Sequence, residues 1–264
     1  MTKVARVRFT DYPTSVAKAL DAIAAGERLP KDGLIIIKPN LVNDSPPPVT
    51  TPVAAAEAVY RYCRGHTDAE IVIGEGCGQG RTTDLFKKHG YAALAARTGM
   101  QLIDFNAAPD ERLVRDDALQ LGELYLPMIV RDAFIISLPV LKDHSMTVTT
   151  LAMKNMFGLA PAKRYRGAWN KSKLHSPSTH RSVVDVCLYK PPGLCVIDAS
   201  VGLKGAHLFG DPIACGLILA SFDPVAVDAM GSRLLGHDPK RIEYLSLANG
   251  RLGSMNGLRI VGEA

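Results

Sequence analysis

The chain has 264 residues, 47% of them hydrophobic and 22% charged, with a formal net charge of +5. That composition describes a folded chain able to bury a sizeable core, and it excludes disordered and low-complexity classes. No apolar run approaches the ~20 residues that span a bilayer, and the start "MTKVARVRFTDYPTS" lacks the apolar centre of a secretory signal; a cytoplasmic protein without a membrane role is expected.

In chain order, "GLIIIKPNLV" (33–42) reads as a strand, followed by the rigid proline-rich loop "NDSPPPVTTP" (43–52). A helix is predicted over 51–65, with Thr51 as its cap, Pro52 in its first turn and Gly65 at its end. A strand at 69–76 leads through the glycine-rich turn "GEGCGQGRTT" into a helix over 82–98. Further strands are read at 100–106, 133–141, 193–201 and 215–223, and further helices at 178–190, 224–235 and 239–250. The strands are continuous apolar runs rather than alternations, as expected of strands covered on both faces. The alternation predicts an α/β fold, a mostly parallel sheet with helices on both faces and room for a smaller appended subdomain. The stretch 159–181 is basic, polar and without clear period, and is predicted to be a long surface loop acting as a lid or binding loop.

Polar residues of catalytic type follow the apolar cores of successive strands: Lys38 and Asn40, Glu75, Lys142 and His144, Asp198, and Asp223. Ligands of open parallel sheets bind outside the carboxyl ends of the strands, so these residues predict one crevice. The glycine-rich turn is either a tight structural turn or an anion cradle; it matches no standard dinucleotide or phosphate-loop fingerprint. Asp223 is placed to cap the helix that Pro224 begins, Asp228 lies inside that helix as a weaker candidate, and Asp198 has no evident capping role. His207 sits in "KGAHLFGDP" and is predicted to line the same crevice, whereas His66, His89 and His237 lie at helix ends without an evident partner. His175 and His180 are five apart, which is not the spacing of a helical metal pair.

The segment with Lys163, Arg164, Arg166, Lys171, Lys173 and Arg181 holds no acid, so it suits an anionic ligand or an acidic partner, or is simply solvated. Tyr165 and Trp169 could stack on bases, but no standard nucleic-acid motif is present and nucleic acid is not expected. The five cysteines form no C-x-x-C pair, so no intrinsic iron–sulfur or zinc motif is present; they read as reduced, buried side chains, with Cys77 in the glycine-rich turn as the exception.

The run "LPVLKDHSMTVTTLAMKNMFG", with "IKPNLV", "VGEG" and "ASFDPVAVDA" in the same order, resembles the domain-of-unknown-function family 362 over nearly the whole chain. That resemblance implies one family domain over residues 1–264, centred on Lys142, His144, Thr150, Lys154, Asn155 and Gly158. Asp143 stands where the family usually has threonine. Many relatives carry a ferredoxin-like cysteine segment or an export signal. More distantly, His144, Lys154 ten residues on, Gly158 and a later His175 or His180 are similar to the nickel-pincer lactate racemase family. There the first histidine transfers protons, the lysine tethers a pyridinium cofactor and the later histidine ligates nickel; the downstream spacing here is longer.

Two functional expectations follow. The first is an enzyme acting on a small anionic or carbonyl-containing metabolite. His144 would be its acid or base. Lys142 and Lys154 would stabilise negative charge. Lys38, Asn40, Asn155, Arg164 and Arg166 would bind the anion, and Glu75, Asp198, Asp223, His175 and His180 are the candidate ligands of a divalent metal. The second is a non-catalytic metal, iron–sulfur or redox-accessory module whose basic segment docks an acidic or iron–sulfur protein.

Overall fold

The computed structural model describes residues 1–262. In chain order the elements are β1 (Thr2–Arg8), α1 (Tyr12–Ala22), α2 (Ala25–Arg28), β2 (Leu34–Pro39), α3 (Val53–Arg64), β3 (Glu70–Glu75), α4 (Thr82–Lys88), α5 (Tyr91–Thr98) and β4 (Leu102–Asp104). The hairpin of β5 (Asp110–Val114) and β6 (Glu123–Pro127) follows, then β7 (Phe134–Leu138), β8 (Val140–His144), β9 (Val148–Thr150), α6 (Ala152–Asn155) and α7 (Ala162–Tyr165). The chain continues through α8 (Thr179–Tyr189), β10 (Leu194–Lys204), β11 (Asp211–Ile213), β12 (Leu217–Ser221), α9 (Pro224–Leu234), α10 (Glu243–Ala248) and β13 (Leu258–Val261).

The main sheet runs β13-β1-β12-β10-β7-β2-β3-β4. Every neighbouring pair on that path is parallel except the two made by β12, so the expected mostly parallel α/β sheet is present. Successive strand residues point to opposite faces, and the core divides accordingly. Ile35 and Ile37 of β2 join α1, α3 and α5 on one face, while Ile36 joins Met153, Val183 and Leu245 on the other. The hairpin β5–β6 stands outside the main sheet and presses Leu124 and Leu126 onto that second face.

Four local expectations are corrected. Thr51 does not cap α3; its hydroxyl donates to the Leu138 carbonyl (2.8 Å) and accepts from the Asn40 N–H (2.9 Å), joining the ends of β7 and β2, while Pro52 sits at the cap position. The helix expected over 82–98 is two helices meeting at Gly90, and that over 239–250 is a 3-10 turn (Pro239–Arg241) followed by α10. The basic stretch 159–181 is not a plain surface loop: it forms α7, a 3-10 turn at Ser172–His175 and the start of α8, and it buries Lys171.

Pro139 interrupts the strand that begins as β7. Beyond it β8 pairs with β10 and folds back on β9, opposing Lys142 to Thr150. Here the sheet splits at its carboxyl edge and leaves room for a cleft.

Candidate functional site

The cleft lies at that edge and holds about 780 Å3 of empty space counted to its mouth. Strand periodicity explains who faces it: Lys142 and His144, two apart on β8, line it together with Thr150 opposite. Asp143 between them points away, accepting from the Gly205 N–H (2.8 Å) and pairing with His237 Nε2 (2.8 Å). His237 therefore has a partner, contrary to expectation. The loop that Asp143 anchors carries His207, which lines the cleft as predicted and stacks on His144 with ring centroids 4.1 Å apart.

Among the described residues three lysines line this space and a fourth, Lys38, lies beneath it. Lys38, fully buried, pairs with Glu75 at 2.6 Å and also donates to Asn155 Oδ1 (3.2 Å) and the Pro39 carbonyl (3.1 Å). Lys142 Nζ donates to Asn40 Oδ1 (2.8 Å) and the Val49 carbonyl (2.7 Å). Lys171 reaches in from the basic segment and donates to the carbonyls of Gly76 (2.5 Å), Phe157 (3.3 Å) and Gly158 (3.2 Å). The Lys154 Nζ has no hydrogen-bond partner among the described residues and lies 3.8 Å over the centre of the Phe157 ring. Among the described residues only one carboxylate, Glu75, lines the cleft, and it is already paired.

Burial disfavours the ammonium form. It pushes Lys142 down to about 7, against the pull of Glu75. Lys154 also falls to about 7, through burial and then the charges of Lys171, Lys142 and Lys38, while Lys171 falls to about 8.

The histidines are neutral and complementary. His144 Nδ1 accepts the Met146 N–H (3.0 Å), which leaves Nε2 carrying the proton as a donor. His175 Nδ1 donates to the Lys171 carbonyl (3.1 Å), which leaves its Nε2 lone pair as an acceptor. Burial, then the nearby charges led by Lys154, pushes His144 down to about 2 and His175 down to about 4.

Two close approaches hold the floor together. A side chain at Gly76 would collide with the Gly158 carbonyl, and one at Gly158 would collide with Lys38 Nζ and Glu75 Oε1. The glycine-rich turn is thus packed against the α6 region. Cys77 within it is buried beside Thr82, and burial pushes its thiol up, away from a reactive thiolate.

The predicted residues divide clearly. Lys142, His144, Lys154, Asn40, Asn155, Glu75, His175 and His207 line the cleft, with Lys38 beneath. The two asparagines hold the lysines in place: Asn155 Nδ2 donates to the Lys38 carbonyl (3.1 Å) and Ser137 Oγ (3.0 Å) while Oδ1 accepts from Lys38. Arg164 instead pairs with Asp110 (2.7 Å) over the Tyr125 ring, and Arg166 donates to Asn170; both are exposed.

The candidate metal ligands are not gathered. Asp198 lies in mid-strand because β10 is longer than its apolar run suggests, and it binds Tyr12 and Ser200. Asp223 caps α9 by accepting from the Ala226 N–H (2.8 Å), the alternative role its position before Pro224 suggests. His180 accepts from the Tyr244 N–H. Among the described residues no group of three or more His, Cys, Asp or Glu is placed to hold a metal ion. Tyr165, considered for base stacking, is buried with its hydroxyl accepting from the Tyr125 N–H (2.6 Å).

Sequence reasoning underrated two residues. Lys171 looked like one more cation of a basic run, and only its burial reveals its place. Asp228, at the centre of α9, accepts from the Ala152 N–H (2.8 Å) and Met153 N–H (3.1 Å), fixing the turn that carries Lys154.

Fold and cleft together define an α/β protein with a cation-rich pocket at the carboxyl edge of its sheet. The profile of the family described as a domain of unknown function, DUF362, matches residues 35–233, and the chain belongs to that family. It is 26% identical over 228 residues to a thylakoid-associated protein of Synechocystis sp. (strain ATCC 27184 / PCC 6803 / Kazusa), covering 83% of this chain and 68% of that protein. Among the described residues, no helix is long and apolar enough to cross a membrane.

Proposed function

We propose that the cleft is the active site of an enzyme acting on a small anionic, carbonyl-containing metabolite. The observation that carries this reading is the charge imbalance: Lys142, Lys154 and Lys171 surround the space, while Glu75, its one carboxylate among the described residues, neutralises Lys38. An anionic ligand restores the balance, and its charge would raise the proton affinity of the lysines it meets. His144, a neutral donor at Nε2, suits hydrogen bonding to a carbonyl oxygen on which negative charge develops. His175 Nε2 and a deprotonated Lys154 are the bases within the cleft. Cytoplasmic residence is consistent with five free cysteines, four of them buried.

The test is calorimetry of the full chain with glyoxylate, pyruvate and inorganic phosphate against uncharged analogues of similar size. Binding of the anions alone, weakened about tenfold or more in Lys142→Met and Lys154→Met, supports the reading. Equal binding of the neutral analogues, or no binding of any anion, removes it.

A second reading is a docking module for an acidic or iron–sulfur protein. It draws on Trp169, 56% exposed at the cleft rim, with exposed Arg166 and Lys173 in the same segment. Partner capture that survives Lys154→Met but fails in Trp169→Ala favours it.

A further inference from the structure

Three of the four lysines at the cleft are held by several acceptors, and one is not. Lys38 gives its donors to Glu75, Asn155 and Pro39; Lys142 gives two to Asn40 and Val49; Lys171 gives three to backbone carbonyls. Lys154 stands apart, lining the cleft with its amine against the face of Phe157 and with no hydrogen bond that a neutral nitrogen would lose. It is buried, and Lys171, Lys142 and Lys38 act on it as like charges, with no carboxylate beside it among the described residues. A lysine desolvated on an apolar surface next to other cations is the arrangement that keeps an amine nucleophilic near neutral pH.

We propose that Lys154 is a Schiff-base lysine whose Nζ condenses with the carbonyl carbon of a small carbonyl compound bearing a carboxylate. The inference rests on reading the cleft as a site for such an anion and adds covalent chemistry to it. The Nζ lone pair forms the C–N bond while the C=O π pair moves onto oxygen, which the His144 Nε2–H is suited to stabilise. Proton transfer from the attacking nitrogen to that oxygen gives a neutral carbinolamine. The nitrogen lone pair then expels the hydroxyl, which leaves as water with a proton drawn from a neighbouring lysine ammonium, and an iminium remains on Lys154. The net change is amine plus carbonyl plus one proton to iminium plus water, with no oxidant or reductant. The remaining lysines suit the carboxylate of the bound compound.

The experiment incubates the full chain with glyoxylate and sodium cyanoborohydride, then maps N-carboxymethyl-lysine by peptide mass spectrometry. The expected result is modification of Lys154 ahead of every exposed lysine, approaching one adduct per chain, and its suppression by excess phosphate. Lys154→Arg, which retains the charge, is expected to lose that adduct while still binding phosphate. Modification spread over exposed lysines with Lys154 unreacted overturns the proposal. If phosphate still binds in that case, only the covalent step fails; if it does not, the anion site fails as well.

Discussion

The Lys38 ammonium and the Glu75 carboxylate lie 2.6 Å apart beneath the cleft, their side chains 0% and 4% exposed. Breaking a buried pair by removing one partner costs about 3–5 kcal/mol, whereas replacing both with uncharged groups of similar volume is often nearly neutral. Glu75→Gln strands Lys38, which burial already pulls below its usual proton affinity against the opposing pull of Glu75. Urea unfolding is expected to show a loss of several kcal/mol for Glu75→Gln and recovery of most of it in Lys38→Met/Glu75→Gln. A double variant no more stable than the single one contradicts this.

Asp228 acts at the next level, on the element that presents Lys154. Its carboxylate accepts two N–H groups of the first turn of α6 and also the Tyr244 hydroxyl (3.2 Å), with no cation among its hydrogen-bond partners. Burial pushes this carboxyl up to about 7. Asp228→Asn keeps the volume but turns an N–H2 toward a backbone N–H, so about 2 kcal/mol of stability is expected to go. Because α6 carries Lys154 and Asn155, phosphate affinity should fall by about tenfold, a loss of about 1.4 kcal/mol. Retained affinity alongside the stability loss would restrict Asp228 to a role in packing.

What could be read beforehand follows from which signals are local. Continuous apolar runs such as "GLIIIKPNLV" revealed the parallel strands, since strands buried on both faces need no alternation. β1 and α1 passed unnoticed because "TKVARVR" mixes charges into a strand that pairs with β12 and β13. Asp11, accepting from the Thr14 N–H, was the local helix signal available there. The Lys142, His144 and Lys154 cluster was legible because strand period and the family motif pointed to one edge. Asp198 misled because the end of an apolar run is not the end of a strand. Lys171 and the Asp143–His237 pair depend on contacts between distant segments, which composition and spacing do not encode.

The lowered proton affinities of Lys142, Lys154 and Lys171 make stability depend on pH in a definite direction. Below their ordinary value of 10.5 the unfolded chain keeps these lysines protonated, while the folded chain releases protons from about 7 or 8 upward. The unfolded state binds more protons, so stability rises with pH. Between about pH 7.5 and 8.5, above Asp228, a lysine lowered to about 7 contributes roughly 1 kcal/mol of that rise, while the five thiols, all raised by burial, begin to oppose it at the upper end. Thermal melts across this window should show an increasing Tm for the wild-type chain. Lys154→Met should melt higher at the lower end and follow a flatter curve; an unchanged slope would show that Lys154 is not protonated differently in the two states.

Asp143 anchors the loop that carries His207. One carboxylate oxygen accepts from the Gly205 N–H (2.8 Å), the other pairs with His237 Nε2 (2.8 Å), and Lys204 lies 3.6 Å away. The segment anchored there ends in the ring that stacks on His144. Threonine has one short polar arm and no charge, so Asp143→Thr cannot serve both partners; a loss of about 1–3 kcal/mol is expected. Hydrogen exchange should quicken across residues 205–210, with phosphate affinity falling severalfold as His207 leaves His144. If exchange in that segment stays at the wild-type rate, the histidine stack is held by the loop itself, and Asp143 serves only to anchor His237.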